Sequence, residues 1–148
     1  MRLFRALLSF VALPGIVAFA VPAWLARPFG RPLHVVGAPP FAAGLVLLIW
    51  CVYEFYALGK GTLAPWDPPR HLVVSGPYRL SRNPMYIGVA LILTGWAAGF
   101  GLVRLWYYAG AVIAMFHLRV VFGEEPWQAR TFGAEWERYK ARVPRWMI

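Results

Sequence analysis

Gly76-Pro77-Tyr78-Arg79-Leu80-Ser81-Arg82-Asn83-Pro84-Met85-Tyr86-Ile87-Gly88 is a polar turn with two arginines that runs without a break into a long apolar segment. Asn83 is a favoured residue for a helix N-cap and Pro84 for a first helical position, so the spacing predicts a helix starting there. Its free N–H groups and positive dipole end would lie beside Arg79 and Arg82, an arrangement that attracts a carboxylate or a phosphate. The join of this turn to an apolar helix implies a polar site at a bilayer surface.

Composition supports the bilayer. Of the 148 residues, 60% are hydrophobic and 17% aromatic, and mean hydropathy is +0.55. A soluble domain of this length has too little interior to hide so much apolar surface. Four apolar runs of roughly 17 to 22 residues are long enough to cross a ~30 Å hydrocarbon layer: Leu7 to Ala26, Phe41 to Leu58, Met85 to Leu102, and Leu105 to Phe122. The fold expected is therefore an all-α integral membrane protein with about four transmembrane helices, forming one domain over 1–148. Residues 59 to 75 read as a Pro-rich loop without a core of its own.

Charge orients the bundle. With a cytoplasmic N-terminus, one side collects Arg2, Arg5, Lys60, Arg70, Arg79, Arg82, Arg130, Arg138, Lys140, Arg142 and Arg145, and the other holds Arg27, Arg31 and Arg104. The asymmetry puts both termini on the cytoplasmic side of a bacterial-type inner membrane. A net charge of +9 beside membrane spans indicates attraction to anionic lipid headgroups, and no nucleic-acid-binding motif accompanies it. Arg2 and Arg5 before an apolar run also resemble a secretory signal. That run exceeds the roughly 7 to 15 apolar residues of such signals, so it reads as a retained span. The single cysteine, Cys51, excludes an internal disulfide and reads as a small buried hydrophobe.

A second polar cluster follows the fourth run: His117, Arg119, then Glu124-Glu125-Pro126. Charges at the end of a span are costly unless paired or functional. Pro126 disfavours helix at Glu125, so a bend is expected at the two carboxylates. Beyond it, Phe132, Trp136, Tyr139 and Val143 fall at spacings of 4, 3 and 4, the stripe of an amphipathic helix expected to lie in the membrane interface. Glu54, near the cytoplasmic end of the second run, is a further candidate for the same cavity. Gly95 and Gly99 form a Gly-x-x-x-Gly pair suited to close helix packing, and Gly88 can act likewise. His34, His71 and His117 lack paired ligand spacing, so no metal site is expected. No dinucleotide or phosphate-loop motif is present.

Taken in order, Gly76-Pro77-Tyr78-Arg79, Arg82-Asn83-Pro84-Met85-Tyr86-Ile87-Gly88, Glu124-Glu125, Phe132-Gly133, Tyr139 and Val143-Pro144-Arg145 resemble the isoprenylcysteine carboxyl methyltransferase and phospholipid methyltransferase superfamily, over roughly residues 73 to 146. The resemblance implies S-adenosylmethionine as cofactor and a lipophilic or small methyl acceptor, a carboxylate, thiol or amine, entering from the bilayer. Arg79, Arg82, Asn83 and the helix start then suit the cofactor carboxylate. Glu124 or Glu125 suits its ribose or ammonium, and Tyr78, Tyr86, Val73 and Val74 suit adenine walls or the sulfonium. Gly88 belongs to the matched cofactor motif. Arg119 sits at a spacing similar to that of an arginine associated with the acceptor carboxylate in the isoprenylcysteine enzymes, and His117 or Glu124 is the candidate for moving a proton. The chain departs from the superfamily's commonest pattern at Asn83, where histidine is usual. Asparagine cannot act as a base near neutral pH. Two other readings stay open at this point, a sterol-reductase-like membrane enzyme using NADPH and a non-catalytic lipid-binding protein.

Overall fold

The computed structural model describes residues 11–27, 34–59 and 70–147. Arg2, Arg5, Arg31, Lys60, the start of the first apolar run and most of the 59–75 loop lie outside the described residues. Those described contain helices and turns and no strand. Helix α1 is wound in wide turns over Val11–Ala20 and continues as α-helix over Val21–Ala26. A short 3-10 turn, Val35–Gly37, leads into α2, Ala38–Glu54. Helix α3 is Pro84–Phe100 and α4 is Val103–Arg119. A wide turn over Val120–Glu124 joins α4 to α5, Glu125–Phe132, and α6 follows over Ala134–Arg142.

Among the described residues, two helical stretches are long and apolar enough to cross a membrane, Val35–Leu58 with 24 residues and Val103–Phe132 with 30. The other two are shorter, Pro14–Ala26 and Pro84–Phe100. Helix α3 is cut to 17 residues because both ends are fixed by local chemistry. Pro84 opens it, and Gly101 closes it in the left-handed conformation at φ 61°, which glycine adopts without a Cβ penalty. At 1.5 Å per residue it spans ~26 Å.

Glycine decides how the central helices meet. A Cβ at Gly44 of α2 would lie 2.5 Å from the Gly88 carbonyl oxygen, and one at Gly95 would lie 2.6 Å from Cβ of Phe41. Gly37 meets Gly95 and Gly99 in the same way, and the His34 N–H donates to the Gly99 carbonyl at 2.7 Å. The α2 and α3 backbones thus touch along their length, as small residues permit in lipid. Gly88, Gly95 and Gly99 all serve this seam, where the sequence had put Gly88 in the cofactor motif as well.

Helix α1 is tied to the same core through its own defect. Pro22 has no N–H to offer the Ala18 carbonyl four residues earlier, and Trp96 Nε1 of α3 donates to that oxygen at 2.9 Å. Tyr108 of α4 donates to the Val17 carbonyl at 2.9 Å.

The carboxylate pair is not a bend. Glu125 is helical at φ −63°, ψ −44°, and helix runs through it from α4 into α5. Pro126 lacks an N–H and crowds the carbonyl four residues back. The wide turn Val120–Glu124 opens the helix at that place, which relieves the crowding without a break.

The C-terminal stripe also differs from expectation. Trp136, Tyr139 and Val143 are buried with Leu72, Ala129 and Phe132 around them, and the Tyr139 hydroxyl donates to the Tyr78 carbonyl at 2.7 Å. The apolar face of α6 is spent on the 78–82 turn, because that turn exposes backbone carbonyls and an arginine that need a cover. It does not face lipid.

Candidate active site

A buried carboxylate sets the entry turn. Glu54, 9% exposed, accepts from Ser75 Oγ and from Trp50 Nε1, the latter at 3.1 Å. Gly76 sits against it at φ +54°, where a Cβ would lie 2.6 Å from Glu54 Oε1. Both the conformation and the space require glycine there. Glu54 therefore anchors the 3-10 turn Gly76–Arg79 to the end of α2. Tyr78 is buried in that anchor, with Cys51 and Val73 in one cluster and the Phe55 ring 5.7 Å away.

Residues 81–83 then grip the C-terminal segment. Ser81 Oγ donates to the Arg145 carbonyl at 3.0 Å, Asn83 Nδ2 donates to the same oxygen at 3.1 Å, and the Arg82 N–H donates to the Pro144 carbonyl at 2.9 Å. Asn83 occupies the N-cap position of α3 as expected, but its side chain makes no cap hydrogen bond. The amide is turned to a residue 62 positions away. The first amides of α3 consequently receive nothing from Asn83, and that helix end keeps its capacity for an anion.

Glu125 closes the grip from the other side. Arg145 meets it bidentately, Nε to Oε1 at 2.8 Å and Nη2 to Oε2 at 2.9 Å, and Arg82 Nη1 lies 2.9 Å from Oε1. Burial alone would raise the Glu125 carboxyl, but the Arg145 hydrogen bonds and the Arg82 charge outweigh it and hold it below the usual carboxylate range. Arg82 is 9% exposed and its guanidinium stands 5.4 Å from the centre of the Trp136 ring. Arg82 Nη1 is within ion-pair distance of Glu125 without hydrogen-bond geometry, and Arg82 Nε is buried without an acceptor. Buried donors of this kind are unusual.

Glu124 points to the opposite side. Its Oε1 accepts from the Tyr86 hydroxyl and from Arg119 Nε, the second at 2.8 Å, which leaves Oε2 for another donor. The Tyr86 ring packs on Phe116 at 4.4 Å. Below this trio an apolar groove of about 660 Å³ runs between α3 and α4. His117 is at its upper end, stacked 6.1 Å from Trp146.

The structure thus brings together Arg82, Asn83, Tyr86, Arg119, Glu124 and Glu125, with His117 next to them. It puts Tyr78 and Gly88 in packing positions, Arg79 on the surface, and Val74 on a separate hollow beside Arg138 and Arg142. Burial holds the Tyr78 and Tyr139 phenols well above their ordinary range, so both are hydrogen-bond donors near neutral pH. Ser81, Phe116, Trp136, Arg145 and Trp146 were not singled out as site residues by sequence. Two of them carried a signal, Arg145 in the final Val-Pro-Arg motif and Trp136 in the apolar stripe.

A family model described as phospholipid methyltransferase matches residues 33–135. The chain belongs to the phospholipid methyltransferase family. Searches of curated proteins and of solved structures gave no significant match. The matched range of this phospholipid methyltransferase family member runs from just before α2 into α6 and contains the α3 and α4 walls of the groove and both Glu124 and Glu125, with Trp146 beyond it. With its two membrane-length helices, the family makes this a membrane methyltransferase, of a kind that generally uses S-adenosylmethionine on lipid-related substrates.

Proposed function

We propose that the protein transfers a methyl group from S-adenosylmethionine to a lipophilic or small acceptor at the cytoplasmic face of the membrane, with the Arg82–Glu125 region holding the cofactor and the α3–α4 groove admitting the acceptor. In this reading residues 1–148 form one domain, four helices cross the membrane and both termini are cytoplasmic. The observation that carries the proposal is Arg82. A buried guanidinium whose Nε has no acceptor while Nη1 meets Glu125 only as an ion pair, beside the uncapped start of α3, suits a carboxylate such as that of the methionine moiety.

When bound, S-adenosylmethionine supplies a methyl group already activated on a sulfonium. The chain's own residues then orient and exclude. Glu124 Oε2 accepts from a ribose hydroxyl or an ammonium, and Tyr86 and Phe116 wall the junction of cofactor site and groove. Glu125 holds Arg82 and Arg145 in place. Val74, Tyr78, Arg79, Asn83 and Gly88 support the site through the 73–88 segment. Arg119 meets an anionic group on the acceptor. A carboxylate or thiolate acceptor needs no base, so alignment and water exclusion suffice. For an amine, His117 is the group at the mouth of the groove able to take the proton.

The test is thermal stabilisation of the purified protein by S-adenosylmethionine, S-adenosylhomocysteine and NADPH, repeated with Arg82→Gln and Glu124→Gln. Stabilisation by the first two, weakened in both variants, is the expected result. Stabilisation by NADPH alone would replace the reading with a reductase, and none by any of the three would leave a lipid-binding protein.

A further inference from the structure

The chain leaves α6 in an extended conformation at Val143, φ −120° and ψ 125°, and the residues that follow are held more firmly than packing asks for. The apolar stripe of α6 ends with Val143, in the cluster around Trp136 and Tyr139. Trp146 belongs to none of the core clusters of the described residues. The Arg82 N–H nevertheless holds the Pro144 carbonyl at 2.9 Å, and Glu125 holds the Arg145 side chain. The Arg145 carbonyl accepts from both Ser81 Oγ and Asn83 Nδ2, at 3.0 and 3.1 Å. The Ser81 hydroxyl is itself fixed, since it is fully buried and accepts from the Asn83 N–H at 3.1 Å. Two donors on one carbonyl oxygen use both of its lone pairs, which lie near the peptide plane. The plane between Arg145 and Trp146 is therefore set, and with it the direction in which the tryptophan leaves the backbone.

Trp146 is thereby delivered to the polar end of the α3–α4 groove, which it lines with Tyr86 and His117. Its ring stacks on the His117 imidazole with the planes 28° apart. That imidazole stands at an exposed position of α4 and has no hydrogen bond or ion pair among the described residues. An untethered ring on a helix surface turns between rotamers. A stacked neighbour stops the turning and covers only a ring face, and the two ring nitrogens, which lie at the edge, stay uncovered.

We propose that Trp146 is a positioning residue, which holds the His117 imidazole at the mouth of the groove with its nitrogens uncovered, and that Ser81 and Asn83 act through it by aiming the 145–146 peptide. The consequence for chemistry rests on the methyl-transfer reading: the proton that an amine acceptor sheds goes to a nitrogen whose place is fixed. The placement itself stands without that reading. It gives the Asn83 amide a task at the groove, although Asn83 does not line it.

The experiment has two readouts on the full chain in lipid nanodiscs that contain phosphatidylethanolamine as an amine probe. The first is nuclear magnetic resonance of isotopically labelled histidine rings, in which the Trp146 ring current shifts the His117 signal upfield. His34 and His71 serve as internal references. Trp146→Ala should abolish the shift and Asn83→Ala should reduce it, with the other two signals in place, whereas Trp146→Phe should keep part of it. The second readout is transfer of a labelled methyl group from S-adenosylmethionine to the phosphatidylethanolamine amine. Trp146→Ala should lower kcat about tenfold with the KM for S-adenosylmethionine unchanged, and Trp146→Phe should restore most of the rate. In a His117→Ala background Trp146→Ala should cost nothing further, where a merely structural tryptophan would lower both backgrounds alike. A His117 signal indifferent to Trp146→Ala, a phenylalanine as disruptive as alanine, or equal losses in the two backgrounds would each overturn the proposal. Resonances that behave as expected without any methyl transfer would remove the enzymatic reading and keep the positioning.

Discussion

Glu125→Gln isolates the contact that joins three parts of the chain. Glu125 is 13% exposed and receives Arg82, 9% exposed, and Arg145, 35% exposed. The amide keeps one acceptor oxygen, turns an N–H₂ toward a guanidinium and removes the negative charge from between two positive ones. A charge-assisted hydrogen bond is worth about 1.5–3 kcal/mol, and breaking a buried pair costs about 3–5 kcal/mol. Water reaches Arg145 more easily than Arg82, which puts the loss at the lower end, about 3 kcal/mol. At ~2–4 °C per kcal/mol for a chain of this size, the melting temperature should fall by about 6 to 12 °C. The assay is thermal unfolding in nanodiscs, followed by near-ultraviolet circular dichroism. Arg145→Gln should cost a similar amount, and the double variant should cost much less than the sum, because both remove one contact. A melting temperature unchanged in Glu125→Gln, or strict additivity in the double variant, would refute the assignment of Glu125 as the tie between the 82 turn and the C-terminal segment.

Acid should open the same tie. The Glu125 carboxyl is held below its ordinary value of 4.5, so its contribution is complete above that pH and is lost as the pH falls through the lowered folded value, a loss absent from Glu125→Gln in a pH series of melting curves. Gly76→Ala should destabilise by at least ~1–3 kcal/mol through its positive φ, and Gly76→Ala with Glu54→Ala should recover part of this if the clash with the carboxylate is real. Asn83→Ala should cost about 1 kcal/mol and Asn83→Asp more, since a carboxylate would face the Arg145 carbonyl; an aspartate that stabilises would restore the capping role. Reporter fusions at residues 59 to 75 and at the C-terminus should both read cytoplasmic, and an external reading of either would separate the two polar clusters.

What could be read from sequence was mostly what is local. Asn83-Pro84 marked the start of α3, the glycines of α3 marked a close helix contact, and the stripe ending in Val143 marked an amphipathic helix. What escaped was the partner of each feature. Asn83 looked like a cap because its neighbours in sequence are a helix start, whereas its amide is claimed by a carbonyl 62 residues on. The stripe of α6 looked like a membrane face because nothing nearby in sequence told of the Arg82 turn it covers. Glu125 looked free for a ligand because two arginines, one 43 residues before and one 20 after, converge on it only in the fold. The helix through Glu125-Pro126 was hidden for a different reason, since a wide turn can absorb a proline that ordinary α-helix rejects.

The glycine seam between α2 and α3 has a consequence for movement. Two backbones in contact at Gly44, Gly88 and Gly95 have little beyond the Cβ atoms of Phe41 and Leu91 between them, so the pair can neither slide nor rock without unpacking. Glu54 hangs the 75–79 turn on one member and the other has Asn83 at its N-cap position, which makes the 75–83 segment part of this fixed frame. Helix α4 has no such seam. Its Gly110 and the Gly123 of the wide turn that follows have nothing within 4 Å of a built Cβ. Relative movement within the bundle therefore falls to α4 against a stationary wall, with the loosely wound Val120–Glu124 as the place where the backbone absorbs it, directly before the glutamate that ties Arg82 to Arg145.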